Sequence, residues 1–155
     1  MGGHKTISTT SHLQTEKPQP QWISPTSNIN IGASWSLPTR AYDGLVTTYS
    51  TSPIPHGVWS GYLQLLLPQQ YTCSKVRIFT DVATQVSVNL MQLYVYYDGV
   101  YNIIFNGPPT EGVWIEHVIP AGNKMVTKAQ FRYYNGSGIV TQNACVSEFE
   151  FWQIP

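Results

Sequence analysis

Charged side chains are scarce in this sequence. Only 10% of its 155 residues are charged, and eight lysines and arginines balance eight aspartates and glutamates. Globular domains usually carry about 25%. Binding to a phosphate backbone needs a cationic surplus or patch, so the composition argues against nucleic acid as a main partner. A near-neutral surface gives little repulsion between copies, which favours a binding or assembly protein over a free enzyme.

Cysteines and long apolar stretches are also rare. Cys73 and Cys145 are the only cysteines, and they are compatible with one disulfide or with two buried free thiols. The longest apolar run, around residues 65–67, is far shorter than the roughly 20 residues that span a bilayer. No apolar segment precedes Trp22, so we expect no signal peptide in this chain. The sequence is then a fragment of a larger protein, or the protein reaches a virion or the extracellular space without the general secretion route.

Residues 1–21 are polar and rich in serine, threonine and proline. They hold too little apolar surface to fold alone, so they predict an extended N-terminal arm. If this arm is ordered, we expect another copy of the chain or another assembly protein to hold it. Residues 22–155 then form one domain.

The sequence of this domain predicts β-structure throughout, because no window shows a sustained 3.6-residue apolar period. Short apolar and aromatic runs end at glycine, proline, asparagine or aspartate, and Asp98-Gly99 predicts a hairpin turn. In the last run, Phe149 and Phe151 share one face and the two glutamates share the other. We therefore predict an all-β fold, an eight-stranded antiparallel jelly-roll β-sandwich. Its strands are expected at 58–65, 75–79, 86–90, 93–97, 101–105, 113–119, 128–134 and 147–152.

Chemistry for catalysis is not evident in the sequence. No pair among the eight acidic residues has an arrangement that nominates it for acid–base work. The four histidines show no metal-ligand spacing, and we expect His117 to be a hydrogen-bonded residue on an edge strand. We therefore predict that the protein is not an enzyme, and an enzyme acting on glycans is the third and weakest option.

Aromatic and amide side chains near turns could instead bind sugars. Aromatic rings stack on the C–H faces of sugars, while amides and hydroxyls add directional hydrogen bonds, and loops on a rigid sandwich position such groups. Any single aromatic residue could equally be a core residue, and we expect Trp59 and Trp152 in the core because they lie within predicted strands. The candidate carbohydrate-binding residues are Tyr49, His56, Asn106, Trp114, Tyr134 and Asn135.

Residues 40–49 contain an acidic turn. Asp43-Gly44 is a strong turn dipeptide, and residues 47–49 favour an extended segment after it. On these residues alone a plain turn is the simpler interpretation. A carboxylate flanked by carbonyls and threonine hydroxyls is also a suitable cage for calcium, so both interpretations stay open.

Four segments, taken in order, resemble the discoidin family, also called coagulation-factor C-type domains. The first is Ala41-Tyr42-Asp43-Gly44 with Thr48-Tyr49, and the second runs from Trp59 to Leu65 and on through 71–78. The third is the 93–101 hairpin, and the fourth comprises 129–132 and the closing 146–152 segment. Together they cover residues 30–153. The aspartate that usually follows the tryptophan strand is missing at 65–68, and the terminal cysteine pair of vertebrate members is absent.

The resemblance implies a jelly roll of the galactose-binding-like type without catalytic activity. It implies loops that bind carbohydrate, lipid head groups or protein, although no membrane-inserting hydrophobic spikes are identifiable, so membrane insertion is not expected. It also implies a structural Ca²⁺ ion held by the family's metal ligands, which by position are the Ala41 carbonyl, Asp43, Thr48 and Glu148.

Two functions follow from the sequence. The first is a structural or adhesive component of a phage or virus particle, such as a fibre, baseplate or capsid decoration, which could recognise surface carbohydrate. The alternative is a carbohydrate-binding module of a secreted bacterial glycosidase or adhesin.

Overall fold

The structure is a computed structural model that describes residues 17–136 and 140–155. Within these residues the chain forms nine strands and two short 3₁₀ turns, Ile31–Ala33 and Pro38–Ala41, and contains no helix long and apolar enough to cross a membrane. The strands are β1 (Gln21–Ile23), β2 (Ser27–Asn30), β3 (Ser50–Ile54), β4 (Leu63–Thr80), β5 (Val88–Tyr97), β6 (Val100–Gly107), β7 (Ile115–Val118), β8 (Lys124–Asn135) and β9 (Gln142–Gln153).

The long strand β4 belongs to both layers of the sandwich. Its first part pairs with β2 and β8, and β8 continues through β5 to β6. Its second part pairs with β7 and β9, and β9 also pairs with β1 and β3. All of these strand pairs are antiparallel, and the register of β4 shifts between Leu66 and Tyr71, on either side of Pro68. Proline lacks the N–H that a regular ladder needs, which accounts for this interruption. Pairing with β8 continues to Cys73, where pairing with β9 begins, so the strand passes between the layers there.

The core lies between the two layers and is rich in phenylalanine. Phe131 on β8 stacks on Phe149 of β9 with ring centroids 6.0 Å apart, and Phe149 contacts Phe151 at 5.1 Å. Leu63 and Leu65 on β4 are also fully buried. These side chains follow the period of two that strands impose, so the same alternation sends their neighbours to the outer faces.

The all-β prediction is confirmed, and so is the Asp98-Gly99 hairpin. Both residues have positive φ, 53° and 82°, as a two-residue turn between right-twisted strands requires. The predicted strands at 86–90 and 93–97 are one strand, β5. Residues 58–61 precede β4 rather than belonging to it.

The described residues form nine strands where eight were expected, because the runs at 58–65 and 75–79 both contribute to β4 while β1, β2 and β3 were not predicted. β2 and β3 are short and polar. Their sequences, SNIN and STSPI, carry few apolar residues and one carries a proline, so no alternating pattern marks them. The extended segment expected at 47–49 begins three residues later, at Ser50.

The expected boundary of the N-terminal arm changes with the structure. Gln21, assigned to the arm, pairs with Gln153 as the first residue of β1. The rest of the arm lies mainly outside the described residues, which begin at Lys17.

Both cysteines are free and buried, so of the two alternatives, a disulfide or two thiols, the structure has two thiols. Burial raises the pKa of Cys73 to about 12.

The predicted core positions of two tryptophans are wrong. Trp59 and Trp152 are only partly buried, and both stack against side chains on outer faces. The tryptophan in the core is Trp35, 3% exposed, which packs edge-on against Phe131 at 5.5 Å. Its indole N–H donates to the Gly61 carbonyl at 2.9 Å, which satisfies its polar atom inside the fold.

Candidate functional site

The six sequence-predicted sugar-binding residues do not form one site. Tyr134 lies on the outer face of β8, and His56 is in the turn that pairs with the end of that strand. Asn106 on β6 is opposite Gln92 of β5 in the same layer. Trp114 lies against the outer face of the other layer, and Tyr49 follows the acidic turn.

Asn135 is not available to a ligand. It is fully buried, and its side-chain amide donates to the carbonyls of Ile54 at 2.9 Å and Val140 at 3.2 Å. Its own backbone pairs with residues 57 and 58. The prediction for Asn135 is therefore wrong, because this amide holds adjacent chain segments together inside the fold.

The first outer face centres on Arg132 of β8. The Arg132 guanidinium lies 4.5 Å from the ring of Trp59 and 4.6 Å from that of Tyr62, and its Nε–H donates to Gln92 Oε1 at 2.8 Å. Cations over aromatic faces are attracted by the ring quadrupole. We call this surface the Arg132 face, comprising Trp59, Tyr62, Gln92, Tyr94, Lys128, Arg132 and Tyr134.

The second outer face, on the β1–β9–β4–β7 layer, repeats the stacking motif. Arg77 lies between Trp22, at 4.3 Å, and Trp114, at 4.2 Å. Here, however, each cation has a carboxylate partner: Arg77 pairs with Glu150, and Lys75 Nζ lies 2.5 Å from Glu116 Oε2. We call this surface the Arg77 face, comprising Trp22, Lys75, Arg77, Trp114 and Trp152.

The acidic loop, residues 43–48, is fastened to β9 by Glu148. Glu148 Oε1 accepts hydrogen bonds from the backbone N–H groups of Gly44, at 2.5 Å, and Leu45, at 2.9 Å. The Asp43 carboxylate accepts from the Leu45 N–H and from the Thr48 hydroxyl, at 2.9 and 2.7 Å. Gly44 has a φ of 84°, a conformation that glycine adopts without strain and that turns its N–H toward the carboxylate.

Glu148 shares a face of its strand with Glu150, opposite Phe149 and Phe151, and is nevertheless buried. It is 2% exposed because the acidic loop covers it. Burial raises the pKa of Glu148 to about 7, and a hydrogen bond with the Asp43 carboxyl adds to the rise against the two backbone donors.

Three of the four predicted calcium ligands therefore come together. Asp43, Thr48 and Glu148 supply two carboxylates and a hydroxyl, a donor set that suits a hard cation. Ala41 is fully buried at the end of the turn that leads into the loop. No group of three histidine, cysteine, aspartate or glutamate side chains that could hold a metal occurs in residues 17–136 and 140–155, so any ion here would depend on hydroxyl and carbonyl oxygens as well.

A separate cavity of about 160 Å³ opens beside the β6–β7 connection. Its lining is mainly apolar, with His117 stacked on Phe105 at a centroid distance of 4.5 Å. The expectation that His117 is hydrogen-bonded is wrong, since its Nε2 is buried and finds no partner among the described residues. Burial lowers the pKa of His117, so the ring is neutral at pH 7.

The stacked cations were missed by the sequence analysis. Lys128 and Arg132 stand four residues apart in a predicted strand, so they could have been assigned to one face by the period of two. What the sequence does not reveal is which aromatic rings from other strands meet them.

No protein-family model matches the sequence, and no curated protein matches it. Solved structures do match. The family 32 carbohydrate-binding module of NanJ from C. perfringens, in complex with galactose, has a TM-score of 0.58 and 12% identity, covering 87% of this chain and 93% of that one. The corresponding module of AlyQ, in complex with 4,5-unsaturated mannuronic acid, gives 0.59 and 10%, covering 84% and 97%.

A third match is chitosan-binding module 1 of a chitosanase/glucanase from Paenibacillus sp. IK-5. Its TM-score is 0.56 at 16% identity, and the alignment covers 86% of this chain and 92% of that one. At these identities the matches establish the fold. The chain has the galactose-binding-like β-sandwich that the discoidin resemblance implies, and the fold prediction is confirmed.

Replacing Glu148 tests how the acidic loop is held. Glu148→Ala removes the acceptor of two backbone N–H groups in a buried position, so we expect a loss of about 2–4 kcal/mol in the free energy of unfolding. Glu148→Gln keeps an acceptor oxygen and should cost less. Urea unfolding with and without 1 mM CaCl₂ measures both.

If calcium binds at this loop, CaCl₂ should raise the midpoint for the wild type and not for Glu148→Gln or Asp43→Asn, since only the native protein offers the site. An equal calcium effect in all three proteins would place the ion elsewhere, and no effect in any of them would contradict a calcium site.

The buried His117 should make stability depend on pH. In the unfolded chain His117 takes up a proton near its ordinary pKa of 6.5, whereas in the folded protein burial lowers this pKa. Stability from this group is therefore present above about pH 6.5 and lost as the pH falls toward the lowered folded pKa. His117→Phe should remove this loss from the pH dependence of urea unfolding between pH 7 and 5, a window in which the raised pKa of Glu148 acts in the opposite direction. His56→Gln, which removes a histidine from the exposed turn, is the control. Identical slopes in wild type and His117→Phe would refute this assignment.

Proposed function

We propose that this chain is a non-catalytic carbohydrate-binding module. The observation that carries the proposal is the Arg132 face, where partly exposed rings, an amide and a fixed guanidinium lie side by side on one rigid sheet. Tyr134 packs against Trp59 with ring centroids 5.2 Å apart, and Tyr62 packs against Tyr94 at 5.8 Å. Rings held by their neighbours lose little freedom when a ligand binds, which lowers the cost of association.

The similarity to carbohydrate-binding modules supports the same function. Among the similar proteins, the NanJ module is in complex with galactose, the AlyQ module is in complex with 4,5-unsaturated mannuronic acid, and the Paenibacillus module is a chitosan-binding module. Between the two functions that the sequence suggests, they favour the module of an extracellular bacterial glycosidase or adhesin over the phage or virus component. The particle component stays a prediction, because the arm that motivates a partner copy lies mainly outside the described residues.

The carboxylates also favour binding over catalysis. A glycosidase needs two carboxyl groups on either side of an accessible glycosidic bond. Glu148, the partner of Asp43, is 2% exposed beneath the acidic loop. The hydrogen bonds of Glu148 hold the acidic loop on β9, so we assign Glu148 a structural role, with or without calcium.

A panel of immobilised neutral and acidic glycans tests the proposed function. We expect at least one class to bind, and Tyr134→Ala and Tyr62→Ala to raise its dissociation constant by about tenfold, about 1.4 kcal/mol. The matched control is Trp114→Ala, which removes a ring from the Arg77 face and should leave affinity unchanged. Absence of binding to every glycan, or the same loss in all three variants, would contradict a sugar site on the Arg132 face.

A further inference from the structure

The Arg132 face is built from rows of side chains that run across the sheet. Along β8 the side chains on this side of the sheet are Lys128, Gln130, Arg132 and Tyr134, of which Gln130 is buried and the other three are partly exposed. Gln130 is flanked by Gln64 on β4, whose amide donates to it at 3.0 Å, and by Tyr94 on β5. With about 3.4 Å per residue, the outward positions of β8 extend over about 20 Å. This surface is long enough for a polymer rather than a single sugar.

Both cations on this surface are held by aromatic rings. Lys128 Nζ lies 4.4 Å from the ring of Tyr96 and 5.3 Å from that of Tyr101. Arg132, about 14 Å further along the strand, stacks between Trp59 and Tyr62 as described above. The two charges are therefore held in position, at one defined separation along the same strand.

Neither cation is neutralised by a carboxylate. No aspartate or glutamate occurs on β2, β5, β6 or β8, or in residues 63–66 of β4. In the part of the chain that the structure describes there are three ion pairs, and they involve Lys75, Arg77 and Lys124. Arg132 uses one of its five N–H donors on Gln92, which leaves a planar group able to take a carboxylate or sulfate through two parallel bonds.

The Arg77 face has the same stacking of cations on aromatic rings, but its cations are neutralised by carboxylates. Its cations are paired with Glu116 and Glu150 on neighbouring strands, so an approaching anion would have to displace a carboxylate. Two sheet faces of similar aromatic content thus differ in charge. The difference assigns an anionic ligand to one face and none to the other.

We propose that the Arg132 face binds an acidic polysaccharide that lies along β8, with its carboxylate or sulfate groups on Lys128 and Arg132 and its sugar rings against the flanking tyrosines. This inference rests on the proposed function and names the substrate class of the same site. The spacing of the two cations selects a polymer whose acidic groups recur over several sugar units.

Affinity electrophoresis of the full chain in gels containing sodium alginate, dextran sulfate or unmodified dextran tests the proposal. We expect retardation by at least one acidic polymer and none by dextran, with retardation that weakens as salt screens the charges. Alginate alone identifies a carboxylate ligand, dextran sulfate alone a sulfate ligand, and both together the shared anionic chemistry; each result supports the proposal.

The variants separate this face from general charge attraction. The double variant Lys128→Gln/Arg132→Gln should weaken binding about a hundredfold, about tenfold for each contact removed. Arg40→Gln/Lys75→Gln removes the same charge elsewhere and should bind like wild type. Arg132→Lys keeps the charge but loses the planar fork, so it should fall between them. Thermal melts verify that every variant is folded.

Three results would overturn the inference. Equal losses in the two double variants would indicate nonspecific attraction, and equal retardation by single-stranded DNA would indicate a nucleic-acid site. Binding to neutral glycans alone would refute the acidic specificity while leaving the carbohydrate-binding function intact.

Discussion

The alternation of side chains along β4, β8 and β9 is the constraint on which the rest of the structure depends. It sends Phe131 and Phe149 into one shared core, where their rings stack. The same period leaves every second residue on an outer face, and Arg77 of β4 and Arg132 of β8 occupy such positions. Each arginine lies over a tryptophan ring from outside these three strands, Trp22 on β1 and Trp59 before β4. The packing of the core therefore fixes where the two cations stand on the surface.

What differs between the faces is the neutralisation of charge. Glu116 and Glu150 balance the cations of the Arg77 face. On that surface, each cation that lies over a tryptophan ring is also paired with a carboxylate. The Arg132 face has the same stacking without the carboxylates. Surface ion pairs contribute little to stability, so the difference between the faces matters mainly for which charges each face leaves free to bind an anion. Glu148, by contrast, is buried and joins the acidic loop to β9.

Much of the fold could be predicted from the sequence because its signals are local. The Asp98-Gly99 turn and the alternating closing strand are examples, and the motif order added the topology. The short strands β2 and β3 were missed because polar residues and a proline hide their pattern. The link between Asp43 and Glu148 was expected from the family resemblance alone, since the two residues are separated by 105 positions in the chain and no local rule joins them.

The candidate sugar site was harder to predict, for physical reasons. Turns do concentrate aromatic and amide residues, but so do buried junctions, and Asn135 shows that an amide at a strand end can be structural. Trp59 was expected in the core because it lies within a predicted strand, yet it is on the surface, where the Arg132 guanidinium contacts its ring. Such pairings depend on strand register in three dimensions, which the order of residues does not encode locally.

The most direct test of the account is to map the bound ligand on the protein by NMR, titrating the ¹⁵N-labelled chain with alginate oligosaccharides. The account predicts the largest shift changes at the side-chain N–H groups of Trp59, Gln92 and Arg132 and along β8. Changes confined to the acidic loop or to Trp22 and Trp114 would contradict it.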